Sequence, residues 1–266
     1  MSHRIKKVFS KKSKKLVTFI TGGDPNYTKS LKIIKNLKDY GSDIIEIGMP
    51  FSDPMADGPI IQASSLRAIK KGINLNKIFL LCKEFRKTDN ETPLILMGYY
   101  NPIHYFGVKK FINQCNDSGI DGLIVVDLQP ENDNHLSNLA AKKNIEFIRL
   151  ITPTTDEMRL RKILTNATGF LYYVSITGIT GAKIKDMKKL KLSVEKLKSK
   201  TNLPIMVGFG IKKTEQAKKI AKFADGIVIG SSIVKIIEDH IVDNILIDNT
   251  LNKINRFVRS FAKAIK

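Results

Sequence analysis

Short, almost unbroken runs of aliphatic and β-branched residues recur along the chain, at 16–21, 44–48, 94–98, 123–127, 147–151, 170–175, 205–209 and 226–230. Alternation with polar residues is weak, the pattern of strands buried on both faces in a parallel sheet. Amphipathic stretches lie between them. In 28–40, Leu31, Ile34 and Leu37 share one face and Gly41 follows as a stop. In 184–197, Ile184, Met187, Leu190, Val194 and Leu197 keep helical spacing with lysines opposite, and near the C-terminus Ile254, Phe257, Val258, Phe261 and Ile265 do the same. Helical patterns also fit 75–87, 107–118, 132–143, 156–166 and 213–223. Eight β-then-α units predict an α/β fold, a (β/α)8 TIM barrel forming a single domain over 1–266. A doubly wound open sheet is the alternative. The basic N-terminal stretch predicts a short helix whose apolar side, Ile5, Val8 and Phe9, plugs the barrel base.

Composition narrows the functional classes. With 266 residues, 42% hydrophobic and 26% charged, the chain has the balance of an ordinary globular domain large enough to need no staple. No run of about 18 apolar residues exists, which argues against a membrane span. No apolar segment precedes the first charges, so a cytoplasmic protein is expected rather than a secreted one. Cys82 and Cys115 both fall in apolar helical patterns and read as buried thiols. The net charge of +20 raises nucleic-acid or membrane-surface binding. The distribution argues against both: apart from seven basic groups in 1–15 and eight lysines in 183–200, the surplus is scattered over solvent faces of helices. No nucleic-acid-binding motif accompanies it.

In a parallel barrel the chemistry lies at the C-terminal ends of the strands and in the loops that follow. The second strand contains Glu46, which shares a face with Ile44 and Gly48. A carboxyl group turned inward among apolar side chains loses solvation, so its pKa rises into the range useful for general acid and base work. A Glu paired with a buried cation is the plainer reading. The following loop, 49–59, holds Asp53 and Asp57 among three prolines and a glycine. It is rigid enough to deliver one carboxylate over a ligand, and Asp53 reads as the turn-capping one. His3, His104, His135 and His240 show neither metal-ligand nor triad spacing, and no metal is expected. No G-x-S-x-G elbow is present.

Three glycine clusters follow the last three strands: 178–181, 208–211 and Gly230 with Ser231 and Ser232. Barrels hold phosphate where such loops meet the start of a short helix, because glycine lets backbone N–H groups approach an anion and the helix end adds positive potential. Ser231-Ser232 reads as a serine-capped helix start of this kind. Tyr172 and Phe19, at inward strand positions, supply aromatic walls. Together these residues predict metal-free acid–base chemistry on a small phosphate ester.

The block EIGMPFSDPMADGP at 46–59 resembles the signature of the tryptophan synthase alpha subunit family. TGGDP at 21–25, LMGYYNP at 96–102, YYVSITGITG at 172–181, VGFGI at 207–211 and GSSIVKII at 230–237 are similar to that family in the same order. The resemblance implies a lyase that splits indole-3-glycerol phosphate into indole and glyceraldehyde 3-phosphate by retro-aldol cleavage. It implies Glu46 and Asp57 as catalytic residues, the first moving protons at indole C3 and the glycerol hydroxyl, the second facing the indole nitrogen. It places Phe19, Ile61, Met97 and Tyr172 around the indole ring, and Gly181, Gly210, Gly230 and Ser231 at the phosphate. Phe209 and Thr180 complete the substrate-binding set, with Thr180 in a loop that closes onto the Asp57 loop. It also implies no cofactor in this chain, a tryptophan synthase beta subunit that binds pyridoxal phosphate, and an α2β2 heterotetramer docked through 50–60, 101–107 and 128–134. Two positions depart from the family's pattern. Gln129 replaces a proline after Asp127-Leu128, which bears on the local turn, and Ile176 stands where some members carry arginine.

Overall fold

Every one of the eight apolar runs contains strand. A computed structural model describes residues 2–133, 135–175, 186–208, 210–242, 245–246 and 249–266. The chain opens with α1 (His3–Phe9), then β1 (Lys15–Thr21), α2 (Tyr27–Leu37), β2 (Ile44–Gly48), α3 (Pro59–Lys70), α4 (Leu75–Arg86) and β3 (Leu94–Gly98). Next come α5 (Tyr100–Phe106), α6 (Val108–Asp117), β4 (Gly122–Val125), a 3-10 turn at Pro130–Asn132, α7 (Leu136–Lys142), β5 (Glu146–Phe147) and β6 (Arg149–Ile151). The second half runs α8 (Glu157–Thr165), β7 (Leu171–Val174), α9 (Met187–Lys198), β8 (Ile205–Gly208), α10 (Thr214–Ala221) and β9 (Gly226–Ile229). It ends with α11 (Ser231–Glu238), β10 (Ile241–Val242), β11 (Ile245–Leu246) and α12 (Thr250–Ile265).

The main sheet has the order β5-β4-β3-β2-β1-β9-β8-β7-β6, and its pairings are parallel. Its two outer members are consecutive in the chain. β5 pairs with β4 and β6 with β7, and between them Ile148 donates its N–H to the Leu123 carbonyl at 2.9 Å. The run expected as one strand at 147–151 is therefore divided where it changes partner, and that change closes the sheet into a barrel. An open doubly wound sheet is excluded.

The two-residue period of a strand separates two cores. Ile44 points into the barrel with Val17, Ile95, Ile124, Met206 and Val228. Ile45 and Ile47 point outward into the larger layer between sheet and helices. Glu46, between them, therefore faces inward. The expected plug is present: Ile5 of α1 is buried in the barrel interior, Val8 and Phe9 pack against it, and the Phe9 and Phe170 rings lie 5.9 Å apart. At the same end an aspartate just before a strand accepts an N–H from the start of the neighbouring strand. Asp43 does so for Leu16, Asp121 for Leu94 and Asp225 for Ile205, at 2.8, 2.9 and 2.8 Å. Cys82 and Cys115 are buried and free, and burial pushes the Cys82 thiol up to about 12.

Three expectations need correction. The segment from Pro59 onward is not loop: Pro59 occupies the first turn of α3, where its missing N–H costs nothing. The segment 101–107 is mostly α5, with Pro102 again tolerated in a first turn. The cap of α11 is Gly230 with φ −140°, not a serine, and no side-chain hydrogen bond caps this helix. Among the described residues no helix is long and apolar enough to cross a membrane.

Candidate active site

A cavity with about 500 Å³ of empty space opens at the C-terminal end of the barrel strands. Nine of the twelve sequence-predicted residues line it. Glu46 and Asp57 supply its carboxyl groups, Phe19, Ile61, Met97 and Tyr172 its apolar walls, and Gly210, Gly230 and Ser231 its far end. Thr180, Gly181 and Phe209 lie outside the described residues, as do Ile176 and Ile184. The sequence reading missed Ile211, Val228 and Ile229, which also line the cavity. Strand alternation carried the signal for Val228, which lies two residues before Gly230 on an inward face.

Sterics explain how the aromatic walls fit. A Cβ on Gly48 would lie 2.6 Å from Phe19 Cζ, and one on Gly230 would lie 2.9 Å from Phe19 Cβ. A Cβ on Gly208 would lie 2.5 Å from the Tyr172 hydroxyl oxygen. The glycines at the strand ends are thus spaces that the two rings occupy. Gly210 is different: its φ of +73° is a left-handed conformation that side chains resist, and it exposes the backbone to the cavity.

Glu46 sits mid-strand in β2 and is 1% exposed. Its Oε2 is buried with no hydrogen-bond partner, and no cation pairs with Glu46, among the described residues. Burial, helped by the nearby negative charge of Asp57, raises its pKa to about 8. Asp57 is raised less, to about 6; burial lifts it, and a hydrogen bond from Tyr99 pulls it back. The Tyr99 hydroxyl donates to Asp57 Oδ2 at 3.0 Å and accepts the Ala56 N–H at 3.0 Å. Its ring lies 5.4 Å from that of Phe51. One side chain from the end of β3 therefore holds the loop after β2 at three points. Sequence spacing did not mark Tyr99, because its role depends on a loop folding back across a neighbouring strand. Asp53 stays outside the cavity, its side chain taken by the adjacent Ser52 hydroxyl.

At the opposite end α11 begins at Ser231. Its helical bonds start with Ile233 and Val234 donating to the Gly230 carbonyl at 2.8 and 3.0 Å, so the first-turn amides point out of the helix toward the cavity end. A wider depression of about 1530 Å³ shares Asp57 and Met97 with the cavity and extends outward to Gln129, Pro130 and Thr154. Gln129 has φ −72° and ψ 145°, the backbone a proline would impose, so its replacement of proline leaves the turn geometry intact. Among the described residues no group of three or more His, Cys, Asp or Glu is placed to hold a metal ion.

The family model described as tryptophan synthase alpha chain matches residues 5–266. The chain belongs to this family. Its fold is similar to that of tryptophan synthase subunit alpha from Legionella pneumophila str. Paris, with 37% identity, TM-score 0.92, and 100% of this chain and 98% of that chain covered. A tryptophan synthase alpha chain from Legionella pneumophila subsp. pneumophila gives 36% identity and TM-score 0.90 over 100% and 97% of the two chains. A structure of Mycobacterium tuberculosis tryptophan synthase gives 25% identity and TM-score 0.87 over 98% and 96%. The family's reaction is cleavage of indole-3-glycerol phosphate to indole and glyceraldehyde 3-phosphate, a carbon–carbon lyase step of tryptophan biosynthesis. It needs no cofactor in this subunit.

Proposed function

We propose that the cavity carries out this cleavage with Glu46 as general acid and then general base, and with Asp57 as the carboxylate facing the indole nitrogen. The observation that carries the reading is Glu46 itself: a fully buried carboxyl, raised to about 8, with one oxygen unpartnered among the described residues, in a cavity that ends at a glycine-lined helix start. At neutral pH such a group is protonated and has a proton to give. It protonates indole C3, which leaves positive charge delocalised onto the ring nitrogen. Asp57, ionised above about 6, stabilises that charge. Glu46, now a carboxylate, takes the proton of the glycerol hydroxyl next to the ring. The C–C bond breaks as the carbonyl of glyceraldehyde 3-phosphate forms, and its electron pair returns to the ring to neutralise the nitrogen. Glu46 ends protonated, as it began.

Phe19, Ile61, Met97 and Tyr172 hold the indole ring, while backbone amides at Gly210, Gly230 and Ser231 hold the phosphate with Gly181. Phe209 and Thr180, outside the described residues, complete the proposed binding set. The partner is a tryptophan synthase beta subunit carrying pyridoxal phosphate, in an α2β2 assembly. It docks through 50–60, 101–107 and 128–134, near the wider depression. The setting is the cytoplasm. The chain has no tryptophan, so fluorescence reports bound indole or bound partner without a tryptophan background from this chain. Indole release from indole-3-glycerol phosphate is expected to be slow for the isolated chain and stimulated at least tenfold by beta subunit; no release in either condition overturns the reading.

A further inference from the structure

Helices α3 and α11 meet at two levels. Close to the cavity, Ile61 of α3 and Val234 of α11 share a small buried cluster with Phe19. Farther along both helices, Arg67 of α3 donates from Nη1 to Glu238 Oε1 at 3.0 Å. Arg67 is itself held by the turn that follows β1. Its Nε and Nη2 fork onto the two oxygens of Asp24 at 2.8 and 2.9 Å, and Asp24 is fully buried. Thr21 and Ser64 join β1 to α3 a second time through their hydroxyls, 2.5 Å apart. α3 is thus fixed to the barrel, and Arg67 passes that fixed position on to the far end of α11. On its other side Glu238 accepts from Lys235 of its own helix at 2.9 Å.

The pair is not explained as a source of stability. Both members are partly exposed, 23% for Arg67 and 29% for Glu238, and exposed ion pairs add little. Its geometry is more telling. α11 has eight residues, with the phosphate-facing amides at one end and Glu238 at the other. Ser231 stands about 4.5 Å of helix rise from Val234, so a tilt of roughly 5° about that contact moves the first amides by about 0.4 Å. Amide bonds to a phosphate are short and directional, and shifts of this order weaken them.

We propose that Arg67 and Glu238 are positioning residues for the phosphate end of the site: their contact sets the tilt of α11 against α3 and aims its first-turn amides at the substrate phosphate. This rests on the reading of Gly230 and Ser231 as phosphate ligands. Glu238 is the residue to change, since removing Arg67 would strand the buried Asp24. In Glu238→Ala, KM for indole-3-glycerol phosphate and the inhibition constant of inorganic phosphate are both expected to rise about three- to tenfold. The expected kcat stays within twofold, and indole affinity and Tm are unchanged. Glu238→Gln, which keeps an acceptor oxygen, recovers most of the loss. Unchanged KM and phosphate inhibition in Glu238→Ala overturn the proposal. If the unsubstituted chain releases no indole, it is the reading of the active site that has failed instead.

Discussion

Asp121, at the base of the barrel, and Glu46, near its other end, are both almost fully buried acids, at 2% and 1% exposure. Asp121 accepts from Ser2 Oγ at 2.6 Å, Arg4 Nη1 at 3.1 Å, Arg86 Nη2 at 2.8 Å and the Leu94 N–H at 2.9 Å. Glu46 is surrounded by Phe19, Tyr172 and other apolar walls, and its Oε2 has no partner among the described residues. Where donors converge, a buried carboxylate ties α1, α4 and β3 together and seals the barrel. Where one oxygen finds no donor among the described residues and burial removes solvent, the same chemistry becomes an acid that retains its proton at neutral pH. Burial is common to both ends; the supply of donors decides whether an acid stabilises the fold or remains reactive.

Removing each acid tests that contrast. Glu46→Gln is expected to reduce kcat for indole release by about 10³-fold or more while substrate still binds, because it removes the transferable proton without changing shape. Asp121→Ala is expected to cost about 3–5 kcal/mol in urea unfolding, because it leaves Arg86 and Arg4 facing a void, with kcat per folded molecule unchanged. A catalytic loss in Asp121→Ala as large as that in Glu46→Gln would break the division of labour between the two ends.

A smaller effect sharpens the cause. Glu46 has a folded pKa of about 8, above its ordinary 4.5, so the folded state holds its proton longer than the unfolded state. The stability this contributes is complete below about 4.5 and is lost as pH rises through about 8. Glu46→Gln has no proton to lose, so its stability should gain on the parent by a few kcal/mol between pH 5 and 9, read from urea midpoints. Parallel pH profiles would mean that Glu46 is solvated. The smallest effect concerns Asp57. Tyr99→Phe removes the hydrogen bond that lowers the Asp57 pKa, so that pKa should climb further above about 6. The acidic limb of the kcat/KM profile then moves to higher pH, with activity at pH 6 down about tenfold and largely regained near pH 7.5. An unmoved limb would show that Asp57 does not set it.

Much of this arrangement was legible because periodicity acts locally. Glu46 could be placed inward from Ile44 and Gly48 alone, since side chains alternate along any strand. The plug formed by Ile5, Val8 and Phe9 was readable as one apolar face of a short helix. Misreadings came where one residue type supports two local structures. Pro59, at the end of the loop expected over 49–59, sits in a first helical turn, and the docking segment 101–107 is mostly helix. Gly230 was passed over as a cap in favour of the adjacent serine, and its reason for being glycine, the Phe19 side chain 2.9 Å away, is a contact between residues far apart in the chain.

By itself, then, the sequence determined what depends on neighbours along the chain: eight buried strands, the helices between them, an inward acid at Glu46 and glycine-rich strand ends. Only the tertiary structure decided what depends on approach in space. It split the fifth run at Ile148 to close the barrel, left Glu46 Oε2 without a partner among the described residues, brought Tyr99 across to Asp57, and laid α11 against α3 through Arg67. Periodicity fixes which way a side chain points. Its pKa and its partners follow from the distances and burial that closure of the barrel imposes.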